Sequence, residues 1–283
     1  MVTASPRIFL DGLVFPEGPR WHDGRLYFSD IHAHQVMSVD MEGHLETVVA
    51  VPNKPSGLGW LPDGRLLVVS MLDKKLMRLD PNGLKEAADL SPFFTGHAND
   101  MVVDKDGRAY IGNTGGEFWT DTPTPRVPAH IAMVTTEGDA RIVARDLQGP
   151  NGMVITPDGG TLIVAEPPGE RLTAFTIGAD GSLSDQRVWA ELEGPPDGIA
   201  VDNESCVWVS VPRQPGRFLR VAEGGEVRQR FEVSDRLGIA CALGGPGRKT
   251  LFMLESFQSS PDSQRGNGRI RTIEVEAPGA GWP

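Results

Sequence analysis

Pro150-Asn151-Gly152-Met153-Val154-Ile155-Thr156-Pro157-Asp158-Gly159-Gly160-Thr161-Leu162-Ile163-Val164 is the stretch whose reading decides the fold. A polar Pro-Asn-Gly corner opens it, a short apolar strand follows, Pro-Asp-Gly reverses the chain, and a second apolar strand runs back. That is a β-hairpin with an oxygen ligand at its mouth. The same pattern recurs along the chain, so the hairpin is part of a repeat unit.

The copies share one register. Phe15-Pro16-Glu17-Gly18-Pro19-Arg20-Trp21 leads through His22-Asp23-Gly24 into Leu26-Tyr27-Phe28-Ser29-Asp30. Pro55-Ser56-Gly57 leads through Pro62-Asp63-Gly64 into Leu66-Leu67-Val68-Val69-Ser70. Ala98-Asn99-Asp100 and Pro196-Asp197-Gly198 open two more, and a degenerate copy without a polar corner starts near Gly238. The corners at 17, 56, 99, 151 and 197 lie 39, 43, 52 and 46 residues apart. A period of that length, built from short antiparallel strands, predicts an all-β, six-bladed β-propeller. No linker-like shift in composition divides the chain, so residues 1–283 are expected to form one propeller domain. Met1 to Asp11 is expected to supply a strand that closes the ring against Ile270–Val275.

Composition agrees and excludes other classes. Gly 34 and Pro 23 fall mostly between apolar runs as turn punctuation, and few stretches show helical periodicity. A net charge of −11 with no basic run opposes binding to nucleic acid. No apolar run approaches 18 residues, and the first ten lack a charged region followed by a long apolar one, so no membrane partner and a cytoplasmic location are expected. Cys206 and Cys241 stand in apolar runs without metal or redox spacing and read as buried thiols. The oligomeric state is left open.

In a propeller the innermost strands run along the axis, so residues at one repeat position converge at one end of it. The converging set is Glu17, Asn99, Asn151 and Asp197: two carboxylates and two amides, without Cys or His. A hard divalent cation takes that mixture, whereas zinc prefers nitrogen and sulfur. Taken singly, an Asn or Asp before Gly is also an ordinary turn former. A bound ion polarises a carbonyl as a Lewis acid, and an Asp197 oxygen off the metal can serve as general base. No Gly-x-Ser-x-Gly and no phosphate-cradling glycine loop offers a rival chemistry.

Phe15 to Trp21, Leu26 to Ile31, Asn99-Asp100, Pro150-Asn151-Gly152 and Pro196-Asp197-Gly198, in this order, resemble the SMP-30/gluconolactonase/luciferin-regenerating-enzyme family, over Phe15 to about Leu254. The resemblance implies a six-bladed propeller that hydrolyses lactones. It also implies one divalent ion held by Glu17, Asn151 and Asp197, calcium foremost, with magnesium, manganese or zinc as alternatives. Asn99 is implied as a substrate or water-mediated contact, and Asp197 falls where the family's proposed general base lies. Sugar-lactonase members often carry Arg two residues before the Asn matched by Asn99; here His97 stands there, which removes a bidentate clamp and suggests a less polar substrate. Two other readings keep the same sequence features: the metal site turned to a non-hydrolytic reaction on a carbonyl substrate, or a propeller that is a binding platform and no enzyme.

Two segments exceed the repeat. Gly115 to Pro128, with Phe118, Trp119 and three prolines, is a lid or a solvated loop, and Trp119 is a candidate substrate contact beside His97. Ser256 to Gly268 reads as a solvated loop. His32, His34 and Glu166 are further candidates near the site.

Overall fold

Strands that bury both faces must stack on neighbours, and this requirement organises the chain. A computed structural model describes residues 5–119, 122–257 and 264–280. Its strands form six four-stranded antiparallel sheets arranged as a β-propeller. Blade 1 consists of Pro16–His22, Arg25–Asp30, Gln35–Val39 and Leu45–Ala50. Blades 2, 3, 4 and 5 repeat the order, with innermost strands Pro55–Trp60, Ala98–Val103, Met153–Ile155 and Ile199–Val201. Blade 6 takes Leu237–Gly244, Thr250–Ser256 and Gly268–Glu274 from the end of the chain, and its outermost strand, Arg7–Leu13, from the beginning. Innermost strands of successive blades touch all the way round, and blade 6 meets blade 1.

The hairpin at 150–164 forms as expected, with Met153 opposite Val164, Val154 opposite Ile163 and Ile155 opposite Leu162. Its turn closes through two bonds, Gly159 N to Thr156 O at 2.8 Å and Thr156 N to Thr161 O at 2.9 Å. The same pair recurs at Leu61–Arg65 and Asp104–Arg108. At Asp202–Cys206 the pattern survives without glycine, because Ser205 takes the left-handed conformation itself, at φ 60°.

Apolar side chains fill the six gaps between blades. In blade 3, Ala109 and Ile111 face blade 2, while Tyr110 between them faces blade 4. Both faces of a strand are thus buried, so its sequence is a continuous apolar run.

Ring closure has its own hardware. Arg7–Leu13 pairs antiparallel with Gly268–Glu274, Arg7 opposite Thr272 and Leu13 opposite Gly268, as expected of the N-terminal segment. Met1 to Ala4, and much of the 256–268 stretch, lie outside the described residues. Glu255, wholly buried, accepts from Arg269 Nε at 2.6 Å, and Arg269 also reaches Asp235 at 2.6 and 2.8 Å. Arg236 faces Asp11 at 3.7 Å. Among the described residues no helix is long and apolar enough to cross a membrane.

Leu13 is 4 % exposed and packs in the blade 6 to blade 1 core, whereas Ile8 on the same strand is 53 % exposed. Leu13→Ala is therefore expected to lower unfolding stability by about 2–3 kcal/mol, and Ile8→Thr to change it by no more than about 0.5 kcal/mol. Denaturant titration of both variants checks this.

Candidate metal and substrate site

The polar corners meet at one end of the axis, and at Asn151 and Asp197 the following glycine does not mark a left-handed turn, unlike Gly18 at φ 53°. Gly152 and Gly198 do not have positive φ. A Cβ on Gly152 would stand 2.5 Å from Asp197 O, and one on Gly198 would stand 2.4 Å from Ala240 Cβ. Glycine follows the corner because innermost strands of adjacent blades touch there. Gly152 N donates to Asp197 O at 3.2 Å, and Gly198 N to Ile239 O at 3.0 Å, so each corner is tied to the next blade.

Glu17, Asn99, Asn151 and Asp197 line one cavity of about 430 Å³. Asn151 Nδ2 donates to Asp197 Oδ1, which leaves the Asn151 amide oxygen free to act as a ligand. Glu17 Oε2 accepts from Gly18 N at 2.8 Å. Asn99 Oδ1 accepts from Ser56 Oγ at 3.3 Å, and its Nδ2 lies 3.5 Å from Pro150 O. At the far end of the axis the space narrows to about 50 Å³. The chain near its C-terminus runs across that end, through bonds of Gly279 N to Arg248 O at 2.9 Å and Ala280 N to Val201 O at 3.2 Å.

Electrostatics single out the two carboxylates. Burial, then the charge of Asp197, raise the Glu17 carboxyl well above its ordinary range. Burial pushes Asp197 up to about 7; the Asn151 hydrogen bond opposes this, Asp100 adds to it, and Arg126 opposes it. Arg20 opposes the Glu17 shift only weakly, because its Nη2 pairs with Asp100 Oδ1 at 3.0 Å and it also reaches Met101 O. Two carboxylates of raised proton affinity, with two amide oxygens beside them, fit a hard divalent ion. Among the described residues no three Asp, Glu, His or Cys side chains gather as a metal cluster; the amides complete this set.

The remaining expected residues fall in different places. Trp119 lines the cavity, its ring set against Phe15, Phe118 and His32 at 6.2, 4.8 and 4.7 Å between centroids, with Lys54 Nζ 5.4 Å from its centre. Phe118 lines it as well. His97 does not; it is 1 % exposed and stands behind Phe118, with Nε2 2.5 Å from the Phe118 carbonyl oxygen. His32 stands behind Trp119, where burial and the Lys54 charge hold it neutral, with a pKa of about 3. Lys54 Nζ lies 2.6 Å from His32 Nδ1. His34 turns to Pro52 O at 2.7 Å. Glu166 is wholly buried, accepting from Gln148 N at 2.5 Å and Arg171 Nε at 2.9 Å, so it clamps the loop that presents Asn151.

Sequence reasoning missed three residues. Arg20 and Asp100 are 80 residues apart and meet only because blades 1 and 3 both turn to the axis. Arg126, in the 115–128 insertion, brings a guanidinium to the cavity wall although position 97 has none. The three prolines of the insertion were the available signal, since they stiffen whatever they carry.

Gly152→Ala is expected to cost roughly 1–3 kcal/mol of stability through the clash with blade 5 and to weaken metal affinity by displacing Asn151, measured by unfolding and ion titration. A second expectation concerns pH. A carboxyl whose folded pKa is raised binds its proton more tightly in the folded state, so metal-free stability falls as pH rises from about 4 to about 7. Asp197→Asn removes that penalty. The metal-free variant should exceed the parent by on the order of 2 kcal/mol at pH 8 and by nothing at pH 4, read by thermal melts.

Known proteins carry the same fold. A 6-deoxy-6-sulfogluconolactonase from Pseudomonas putida is 26% identical over 95% of this chain and 94% of its own. A luciferin-regenerating enzyme structure superposes with a TM-score of 0.79 over 97% of each chain, at 18% identity. A calcium-binding protein, regucalcin, from Agrobacterium tumefaciens does so with 0.78, covering 99% of this chain and 96% of its own, at 21% identity. The profile described as SMP-30/gluconolactonase/LRE-like region spans residues 15–256, from the Phe15 corner to the penultimate strand of the ring, and on that match the chain belongs to this family.

Proposed function

We propose that this protein is a divalent-metal-dependent lactonase. The observation that carries the reading is the pair of carboxylates, Glu17 and Asp197, half-buried in the cavity wall with raised proton affinity and no cation paired with either among the described residues. Glu17, Asn151 and Asp197 would hold the ion, calcium first among the candidates. The Agrobacterium relative's calcium-binding description and the Pseudomonas relative's lactonase name support that choice of ion and reaction.

When bound, the ion supplies Lewis-acid polarisation of an ester carbonyl. The chain supplies the rest. Asn99 points an amide into the cavity, where it can orient the ring oxygen or a water. Asp197 has one oxygen engaged by Asn151 and the other available to take the proton of an attacking water. The water oxygen bonds to the carbonyl carbon, the ring C–O bond breaks, and the departing alkoxide takes back a proton to give the hydroxy acid. Trp119 and Phe118 wall the reacting ring from solvent on one side.

Chelator-treated protein should lose hydrolysis of an aldonolactone panel and regain it when calcium, magnesium, manganese or zinc is added singly. Asp197→Ala should lower kcat by roughly 10²–10⁴-fold. Turnover that survives complete removal of metal, or an unchanged rate in the variant, overturns the mechanism.

A further inference from the structure

Among the described residues the cavity has one cationic side chain in its wall, Arg126. Its other charged lining residues are Glu17 and Asp197. Most arginines of this protein are matched to carboxylates, as Arg108 is to Asp104 and Arg220 to Asp202, both at 2.6 Å. No carboxylate among the described residues pairs with Arg126. Its guanidinium instead lies over the Phe118 ring, 5.7 Å from the centroid, and is otherwise exposed.

The placement of Arg126 is built into the loop. Val127 N donates to Gly115 O at 2.7 Å, and Thr124 N to Glu117 O at 2.9 Å, so 124–127 folds back on 115–117 as a short ladder. No side chain fits beneath it. A Cβ on Gly115 would be 2.2 Å from Val127 O, and one on Gly116 would be 3.2 Å from Arg126 Cα. Pro123, Pro125 and Pro128 limit the loop further.

We infer that Arg126 is a specificity-determining residue that selects lactones bearing an anionic substituent, such as a sulfonate, carboxylate or phosphate, remote from the reacting carbonyl. The inference rests on the lactonase reading above and adds the substrate class. A divalent ion balances Glu17 and Asp197, and the uncompensated charge left in the wall is then positive. In a chain of net charge −11 the general field repels anions, so an anionic ligand must be drawn by a local group. A guanidinium offers the planar fork that such oxygens accept in pairs. The opposite wall, with Phe15, Ile31, Met71 and Ile239, is apolar and offers an anion nothing. The substrate is thereby oriented, its charged end toward blades 3 and 4.

The test uses the calcium-loaded protein and matched aldonolactones that differ only in a terminal hydroxyl, sulfonate or carboxylate. Arg126→Met should reduce the preference for each anionic lactone over the neutral one at least tenfold in kcat/KM, through KM, and Arg126→Lys should restore part of it. Raising salt should increase the parent's KM for the anionic lactones and leave the ratio in Arg126→Met unmoved. An unchanged preference, or a loss carried wholly by kcat, overturns the assignment. Should the parent hydrolyse no lactone, the lactonase reading fails by itself, and calorimetric titration with a sulfonated sugar acid decides for Arg126. Binding weakened at least tenfold in Arg126→Met sustains the assignment; equal binding ends it.

Discussion

Six sheets that are apolar on both faces can hide from water only against one another, and along the axis this forces the innermost strands to within glycine contact. Gly57 against Met101 N, Gly152 against Asp197 O and Gly198 against Ala240 express that constraint. Everything at the site depends on it. At Gly152 and Gly198 the residue before the glycine is carried to the axis with its backbone bonded to the next blade, so Asn151 and Asp197 are fixed by the same contacts that close the ring. Stability and site geometry are one system here, and a side chain added at these glycines would disturb both.

Within that frame the site is the least comfortable part of the fold. Glu17 and Asp197 are half-buried with carboxyls raised above their ordinary range, while the Arg20 guanidinium is committed to Asp100 and opposes the Glu17 shift only weakly. Burying charge without its partner opposes folding, and a set of residues that does so stands out against the matched pairs elsewhere, such as Glu255 with Arg269. The divalent ion proposed here would balance these charges with the donors already in place. Around the mouth the insertion after blade 3's second strand supplies the walls: Trp119 held by Phe15 and His32, Phe118 backed by His97, and Arg126 over Phe118. The aromatic residues exclude water, and the arginine gives the mouth a sign.

Much of this was legible before any coordinates. The corner–strand–turn–strand pattern fixes blade number and register, because the chain repeats its turn chemistry at Leu61, Asp104 and Thr156 with the same hydrogen bonds. Convergence of Glu17, Asn99, Asn151 and Asp197 follows from their shared repeat position. Glu166 read as a site candidate because it ends the strand after Asn151. Its role as a buried clamp depends on Gln148, Arg171 and Thr173 arriving around it, which a linear pattern does not show. His97 drew attention by standing two residues from Asn99, yet it faces the back of Phe118.

The sequence by itself determined the architecture and the donor set, because repeat spacing and residue type are local quantities that survive in one dimension. Tertiary structure decided which carboxyls have their proton affinity raised, which histidine is walled off, and which guanidinium reaches the cavity. Arg20 finds Asp100 across 80 positions, and Arg126 is carried over the mouth by a loop that folds back on Gly115. Pairing of charges and exposure to a cavity are properties of distances in space, and only the closed ring sets those.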